Sequence, residues 1–361
     1  MPAIEHLSLK QFRNITELSA SFSEGIHFIF GNNGSGKTSL LESLYSLTHG
    51  RSFRSRQPLQ LIQDSSSFFR VVVAIKNTPC PIVVGWEKQR NKEAQLKIDG
   101  KNIQQFSSVA EKLPTLMIDT DSHRQLSSGP KSRRQFIDWK VFHCFPEFIS
   151  CWRSYQTHLS QRNAALKQNI DSSPWDKGLC SSAYKIDSYR KQIIEEWQEH
   201  FQDLLPKFNL IPLNLSTKYD RGWPYEKSLE ESLEENRERD RRLGFTHSGP
   251  HRADLKVLTQ EDLVFQRLSQ GQQKIITYAM KLAQVRLLAN DYSKKSLVLI
   301  DDLPAELDMP KRKAVIASLE ELGVQSIITG ILKRDVLSLT HQHACFSIDE
   351  GRLSSLSNTK A

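Results

Sequence analysis

Between residues 3 and 125 the apolar positions fall in short blocks separated by turn residues. The blocks at 26–30, 71–75 and 82–86 predict strands. Directly after the first, Leu40, Leu41, Leu44 and Leu47 recur at helical spacing and predict a helix with one buried side. From about 131 to 242 the texture changes, with Trp152, Tyr155, Leu159 and Leu166 followed by an aromatic and aliphatic stripe over 186–205. Strand signals are nearly absent there, so the segment reads as a mainly helical insertion. Residues 225–243 carry five basic and seven acidic side chains, the balance of a solvated helix face or a connection leaving the insertion. Strand patterns return at 297–300 and 326–328, around a helix over 272–288. The predicted class is α/β with mixed sheets in two lobes: an N-terminal lobe over 1–128, a helical insertion over 129–243 and a C-terminal lobe over 244–361.

Composition narrows the partners. The 361 residues are 38% hydrophobic and 25% charged, which is globular, and 49 Lys+Arg against 41 Asp+Glu leave a net charge of +8. An acidic polymer is a natural ligand for such a surface. No apolar run approaches the roughly 18 residues of a membrane helix, so no membrane partner is expected. The first residues show no basic-then-apolar leader, and export is not expected either. Cys80, Cys144, Cys151, Cys180 and Cys345 are scattered and include no Cys-x-x-Cys pair, which fits a reducing cytoplasm.

The chemistry begins at Gly31-Asn32-Asn33-Gly34-Ser35-Gly36-Lys37-Thr38-Ser39, a G-x-x-x-x-G-K-[ST] loop between a predicted strand and a predicted helix. In such a loop the glycines let backbone N–H groups turn toward phosphates and the helix N-terminus adds positive potential. Lys37 neutralises the β- and γ-oxygens, and the hydroxyl of Thr38 ligates Mg2+. The predicted cofactors are therefore ATP and Mg2+.

Far downstream, the apolar strand 297–300 ends in Asp301-Asp302, the Walker B form. Asp301 is the candidate second metal group and Asp302 the residue that orients or deprotonates the attacking water. Leu268-Ser269-Gln270-Gly271-Gln272-Gln273 opens the helix upstream of that strand and resembles the signature of ATP-binding-cassette proteins. Ser269, Gly271 and Gln272 at a helix N-terminus make an anion site. A second such site in one chain implies a two-fold sandwich, each signature meeting the γ-phosphate held by another copy. His247, His251 and Asp254 also lie near one another in sequence, without a third His or Cys to complete a metal set.

Beyond these motifs the chain resembles the RecF family nearly end to end, a family related to the heads of SMC proteins and zinc-hook repair ATPases. The resemblance is carried by Phe12-Arg13-Asn14, Gly50-Arg51-Ser52-Phe53-Arg54, Ser128-Gly129-Pro130 and Arg133-Arg134-Gln135-Phe136-Ile137-Asp138. Leu159 to Lys167 and Gly249-Pro250-His251-Arg252-Ala253-Asp254-Leu255 carry it further. It implies an ABC-type ATPase head with an inserted helical lid, and it places Arg13 beside the nucleotide. It also implies an ATP-dependent DNA-binding clamp in recombinational repair of replication gaps and in SOS induction. Such a clamp binds single-stranded, gapped or junction DNA, dimerises on ATP and works with RecR- and RecO-type mediators.

Gln270 stands where the family commonly has Arg, and Asp302 where most ABC ATPases carry Glu, which implies slow hydrolysis. Thr329 occupies the place of the transporters' switch histidine. Arg51, Arg54 and Arg56, with Lys131, Arg133, Arg134, Arg153, Arg162 and Lys167, are candidate phosphate contacts.

Other readings are a transporter ATPase subunit, an SMC or zinc-hook head, a defence ATPase with a nuclease module, and a scaffold that uses ATP only to dimerise. The long interval from Lys37 to Ser269 disfavours the first. The lack of long heptads or a Cys-x-x-Cys apex disfavours the second, and the third needs an acidic nuclease domain that is missing here.

Overall fold

The computed structural model describes residues 3–55, 57–77, 79–260, 262–289, 296–331 and 343–356, so the candidate phosphate contact Arg56 lies outside the described residues. The chain forms two compact units, Met1–Ser122 with Lys274–Ala361, and His123–Gln273.

The first unit contains two six-stranded sheets. One is antiparallel, in the order β2-β1-β4-β5-β6-β7, from β1 (Ile4–Phe12), β2 (Ile15–Ser21), β4 (Phe68–Ile75), β5 (Ile82–Gln89), β6 (Gln95–Ile98) and β7 (Lys101–Ile103). Its strands alternate as a half-buried sheet should: Phe69, Val71, Val73 and Ile75 of β4 point inward. The other runs β15-β14-β3-β13-β12-β8, from β3 (Ile26–Phe30), β8 (Thr115–Ile118), β12 (Leu297–Ile300), β13 (Ser326–Gly330), β14 (Ala344–Asp349) and β15 (Arg352–Leu356). All its pairs are parallel except the β14–β15 edge hairpin. Strands β3, β8, β12 and β13 are buried at every position, the condition of a parallel strand covered on both faces.

Helix α1 (Lys37–His49) packs in one core with residues of both sheets. Leu40, Leu41, Leu44 and Leu47 are fully buried there, each contributing about 1.5–3 kcal/mol. The unit is completed by α2 (Ser107–Lys112), α11 (Leu303–Glu306) and α12 (Met309–Leu322).

The second unit holds α4 (Pro130–Cys144), α5 (Phe148–Lys167), α6 (Asp176–Lys207), α7 (Leu229–Glu235), α8 (Arg237–Leu243) and α9 (Val264–Arg267). Helices α3 (Ser122–Ser127) and α10 (Gln270–Ala289) span its two boundaries. It also contains an antiparallel sheet, β11-β10-β9, made by β9 (Leu215–Asp220), β10 (Asp254–Thr259) and β11 (Asp262–Leu263).

That sheet explains why this unit differs from the 129–243 segment expected from sequence. Strand β10 pairs along its whole length with β9, so its stretch of chain belongs to the second unit, which runs on to Gln273. Only Leu215 of β9 is buried, and its Ser-Thr-Lys-Tyr-Asp remainder reads as a loop. The charged run over 225–243 forms α7, opened by a Ser228–Glu231 capping box, and α8, which buries Asp240 completely. Among the described residues no helix is long and apolar enough to cross a membrane.

Candidate nucleotide site

The glycine-rich loop leaves β3 and enters α1 as its spacing predicts. A Cβ on Gly31 would lie 2.4 Å from the carbonyl oxygen of Ile348 and 2.5 Å from Ser35 Oγ, so no side chain fits there. Gly36 takes φ +115°, a conformation open to glycine and little else. Lys37 is buried, and its ammonium donates to the carbonyl oxygens of Gly31 (2.6 Å) and Asn32 (2.9 Å). Burial pulls its pKa down, against the opposing pull of Asp302 and Asp301. The buried hydroxyl of Ser35 has no hydrogen-bond partner among the described residues. Asn32, Asn33 and Gly34 are exposed at the tip of the loop, while Ser39 faces inward and donates to Asn14 Oδ1 (2.6 Å).

The two halves of the site meet through the order of the sheet. Strand β13 lies between β3 and β12, with Ile328 opposite both Phe28 and Ile300, so Thr329 comes level with the Walker B carboxylates. Thr38 Oγ1 donates to Asp301 at 3.0 and 3.2 Å, joining residues 263 positions apart. Thr329 Oγ1 donates to Asp301 Oδ1 (2.7 Å) and accepts the backbone N–H of Asp302 (2.8 Å). Burial raises the pKa of Asp301, and these two hydroxyls oppose the shift. Asp302 takes a left-handed φ of +53° as it starts α11.

Thr329, at the place of the transporters' switch histidine, is thus the strut that fixes Asp301 and Asp302. No local pattern marks it; it emerges only when three strands are in register.

Arg13, expected beside the nucleotide, has its side chain engaged within the fold. Its guanidinium is clamped bidentately to Glu42 (2.7 and 2.9 Å) and to the carbonyl of Gln60 (2.7 Å), and Glu42 is completely buried. Its neighbour Asn14 is the residue that touches the loop, donating to Gly34 O (2.6 Å). Replacing Arg13 by Ala should therefore act first on stability. It strands a buried carboxylate and should cost about 3–5 kcal/mol in urea unfolding. Glu42→Gln in the same chain should restore part of that loss.

Ser269, Gly271 and Gln272 fall in the second unit, at the start of α10. Ser269 and Gln272 form a reciprocal cap: the Ser269 N–H and hydroxyl donate to Gln272 Oε1 (both 3.1 Å), and the Gln272 N–H donates to Ser269 Oγ (3.4 Å). Ser269 and Gly271 are exposed, and a Cβ on Gly271 would meet nothing within 4 Å.

The candidate phosphate contacts divide sharply. Arg51, Arg54, Lys131, Arg153 and Lys167 are exposed. Arg133 is buried in a bidentate pair with Asp254 (2.7 and 2.9 Å), and Arg134, half-buried, donates to Ala253 O (2.7 Å). Arg162 is fully buried between Asp176 and Asp240 (2.8 Å each). These three are bound within the fold. His247 pairs with Asp240 and His251 bonds to Tyr155 and Thr246, so the histidines and Asp254 each have separate partners.

The two sheets, the phosphate-type loop and the Asp301–Asp302 pair define the ABC-type P-loop ATPase head. The family described as RecF/RecN/SMC N terminal domain matches residues 3–352. A DNA replication and repair protein RecF from Coxiella burnetii (strain Dugway 5J108-111) is 39% identical over 99% of this chain and 100% of its own length. The chain belongs to the RecF family. The fold is similar to a solved recombination mediator protein RecF with ATP, at TM-score 0.85 and 24% identity over 98% of this chain and 99% of that one. It is also similar to an Smc head bound to the C-winged-helix domain of ScpA, at TM-score 0.63 and 16% identity over 99% and 98%.

Proposed function

We propose that this chain is an ATP-gated DNA-binding protein of replication-gap repair and SOS induction, a slow ATPase whose two nucleotides are sandwiched between two copies. It works in the cytoplasm with RecR- and RecO-type mediators. The observation that carries the reading is the Thr38–Asp301 contact, which brings the phosphate loop and the Walker B carboxylate to one point.

The residues present fit Mg·ATP. Gly31, Gly34 and Gly36 put no side chain at three positions of the loop, the Ser35 hydroxyl has no partner among the described residues, and Lys37 presents a desolvated cation. Thr38 and Asp301 would hold Mg2+, which when bound neutralises phosphate charge. Asn32 to Ser39 supply the loop's polar groups and backbone N–H donors, and Lys37 places its cation against the β- and γ-oxygens. Asp302 orients the attacking water, and its short side chain and fixed left-handed backbone support slow turnover. Arg13 stands behind the loop as a brace through Glu42, and Asn14 sets the position of Gly34.

Ser269 and Gly271 are exposed and Gln272 half-buried at a helix N-terminus, where an anion from a second copy is favoured. Closure on two ATP molecules would bring both copies' exposed cations onto one DNA, giving nucleotide-dependent binding a physical cause. Arg51, Arg54, Lys131, Arg153 and Lys167 carry that role in this reading, and Arg133 and Arg162 do not.

Salt-titrated fluorescence anisotropy on gapped duplex DNA checks it, with ATP, a non-hydrolysable analogue or no nucleotide. Binding should tighten at least roughly tenfold with nucleotide and fall steeply with salt. Ser269→Arg should lose the nucleotide-dependent part while still binding ATP. Equal DNA affinity in all three conditions would sink the clamp and leave only attraction to a basic surface.

A further inference from the structure

Helix α10 carries a polar line that the reading above does not use. Lys274, Tyr278 and Lys281 are spaced i, i+4, i+7 and share one face. Lys274 Nζ lies 2.8 Å from Glu306. Lys281 Nζ donates to Met117 O (2.6 Å) and Ser122 Oγ (2.8 Å), and burial pushes its pKa down to about 8 against the pull of Asp119. Between these anchors Tyr278 is only 3% exposed, and its hydroxyl has no hydrogen-bond partner among the described residues.

What the phenol faces is set by the sheet. Strands β8 and β12 are parallel neighbours with Ile118 opposite Ile300, and the Asp301 N–H donates to Ile118 O (2.9 Å). Asp119 and the Asp301–Asp302 pair therefore leave adjacent strand ends side by side. Burial raises the pKa of the phenol, and the negative charges of Glu306, Asp119, Asp301 and Asp302 push the same way. A donor thus sits among acceptors, yet each of three acceptors already has another donor: Glu306 has Lys274, Asp119 has Ser122, and Asp301 has Thr38 and Thr329. A buried hydroxyl left unpaired is a standing penalty, and in a native fold it calls for a state that pairs it.

We propose that Tyr278 is a positioning residue of the nucleotide site, a donor held in reserve for the Asp301–Asp302 pair. This rests on the reading of Thr38 as a metal ligand. Were the Thr38 hydroxyl to turn from Asp301 toward a bound cation, the pair would lose one of its donors, and the phenol is an unpaired donor on the helix face whose lysines reach Glu306 and the end of β8. Held by Tyr278, the two carboxylates keep the orientation that Asp302 needs to direct water.

Tyr278→Phe in the full chain tests this, because the ring and its packing remain and only the hydroxyl goes. Three quantities are read: the thermal midpoint without nucleotide, its rise with Mg2+ and ATP, and kcat and KM for hydrolysis. The expected result is a nucleotide-free midpoint equal to or above that of the wild type, a smaller rise with Mg·ATP, and kcat down roughly tenfold with KM within about twofold. A variant with wild-type kcat and a wild-type rise would overturn the proposal. So would a nucleotide-free midpoint that falls along with kcat, since that marks a hydroxyl needed only for folding. A wild-type protein whose own midpoint does not move with Mg·ATP would instead bring down the nucleotide reading, and this proposal with it.

Discussion

Arg162→Met is expected to destabilise the second unit by about 3–5 kcal/mol, the cost of breaking a buried pair from one side. Arg162 is fully buried on α5, and its guanidinium donates to Asp176 from Nε and to Asp240 and Thr246 from Nη1, all at 2.8 Å. Asp240, also fully buried, accepts the N–H (3.1 Å) and Nδ1 (2.7 Å) of His247 at its other oxygen. One guanidinium thus joins α5, the start of α6, α8 and the 246–247 loop. Methionine fills most of the volume but leaves Asp240, sealed from water, without its guanidinium, while Asp176 keeps only the longer pair with Arg237 (3.4 Å).

Lysine should not rescue, because a single ammonium cannot reproduce the fork that reaches three acceptors. The double variant Arg162→Met with Asp240→Asn should recover part of the loss. Urea unfolding measures all three, and DNA anisotropy on the folded fraction separates the roles. If Arg162→Met weakened DNA binding while its unfolding midpoint stayed put, Arg162 would be a phosphate contact and the network an incidental one.

Arg162 also shows where sequence reasoning stops. By residue type, in a run with Arg153 and Lys167, it reads as a surface cation, although its place three after Leu159 and four before Leu166 puts it on the buried stripe of the helix. What removes it from the surface is Asp240, 78 positions away, just as Asp254 removes Arg133 from 121 positions away. Pairing at that range leaves no periodic trace.

The phosphate loop was legible for the opposite reason. Its strand, turn and helix are contiguous, and each demands a residue type: continuous apolar residues for a strand covered on both faces, glycine where a Cβ would meet Ile348 and Ser35, leucines at helical spacing. The Walker B carboxylates were legible as the end of another fully buried strand. Thr329 was not, because its part depends on β13 lying between β3 and β12, and strand order is not written in any one segment. Strand β9 was missed because its pairing with β10 is made by the backbone, while its side chains, apart from Leu215, stay partly solvated. That omission shifted the insertion's far boundary from 243 to 273, since β10 and β11 follow β9 into the second unit.

Lys37→Met should weaken ATP binding by at least about a hundredfold, while leaving the nucleotide-free protein close to wild-type stability. The asymmetry follows from what Lys37 does in each state. Without nucleotide its ammonium is desolvated and held by two loop carbonyls. Methionine gives up those two bonds but also removes the burial penalty, so the net change is small.

With a triphosphate in the loop the balance differs. Asp301 and Asp302 already place two acidic groups near the site, and Lys37 is the cation on which both act. Deleting it loses a charge-assisted contact of about 1.5–3 kcal/mol and leaves like charges facing one another, which together exceed the roughly 2.8 kcal/mol of a hundredfold change. Titration with a fluorescent ATP analogue reads the affinity, and thermal unfolding reads the stability. Affinity within about threefold of wild type would mean that the loop does not grip phosphate through Lys37. Set beside Ser269→Arg, which should bind ATP but not clamp DNA, the variant divides the cycle: Lys37 governs loading within one copy, and Ser269 governs what a second copy does with the loaded site.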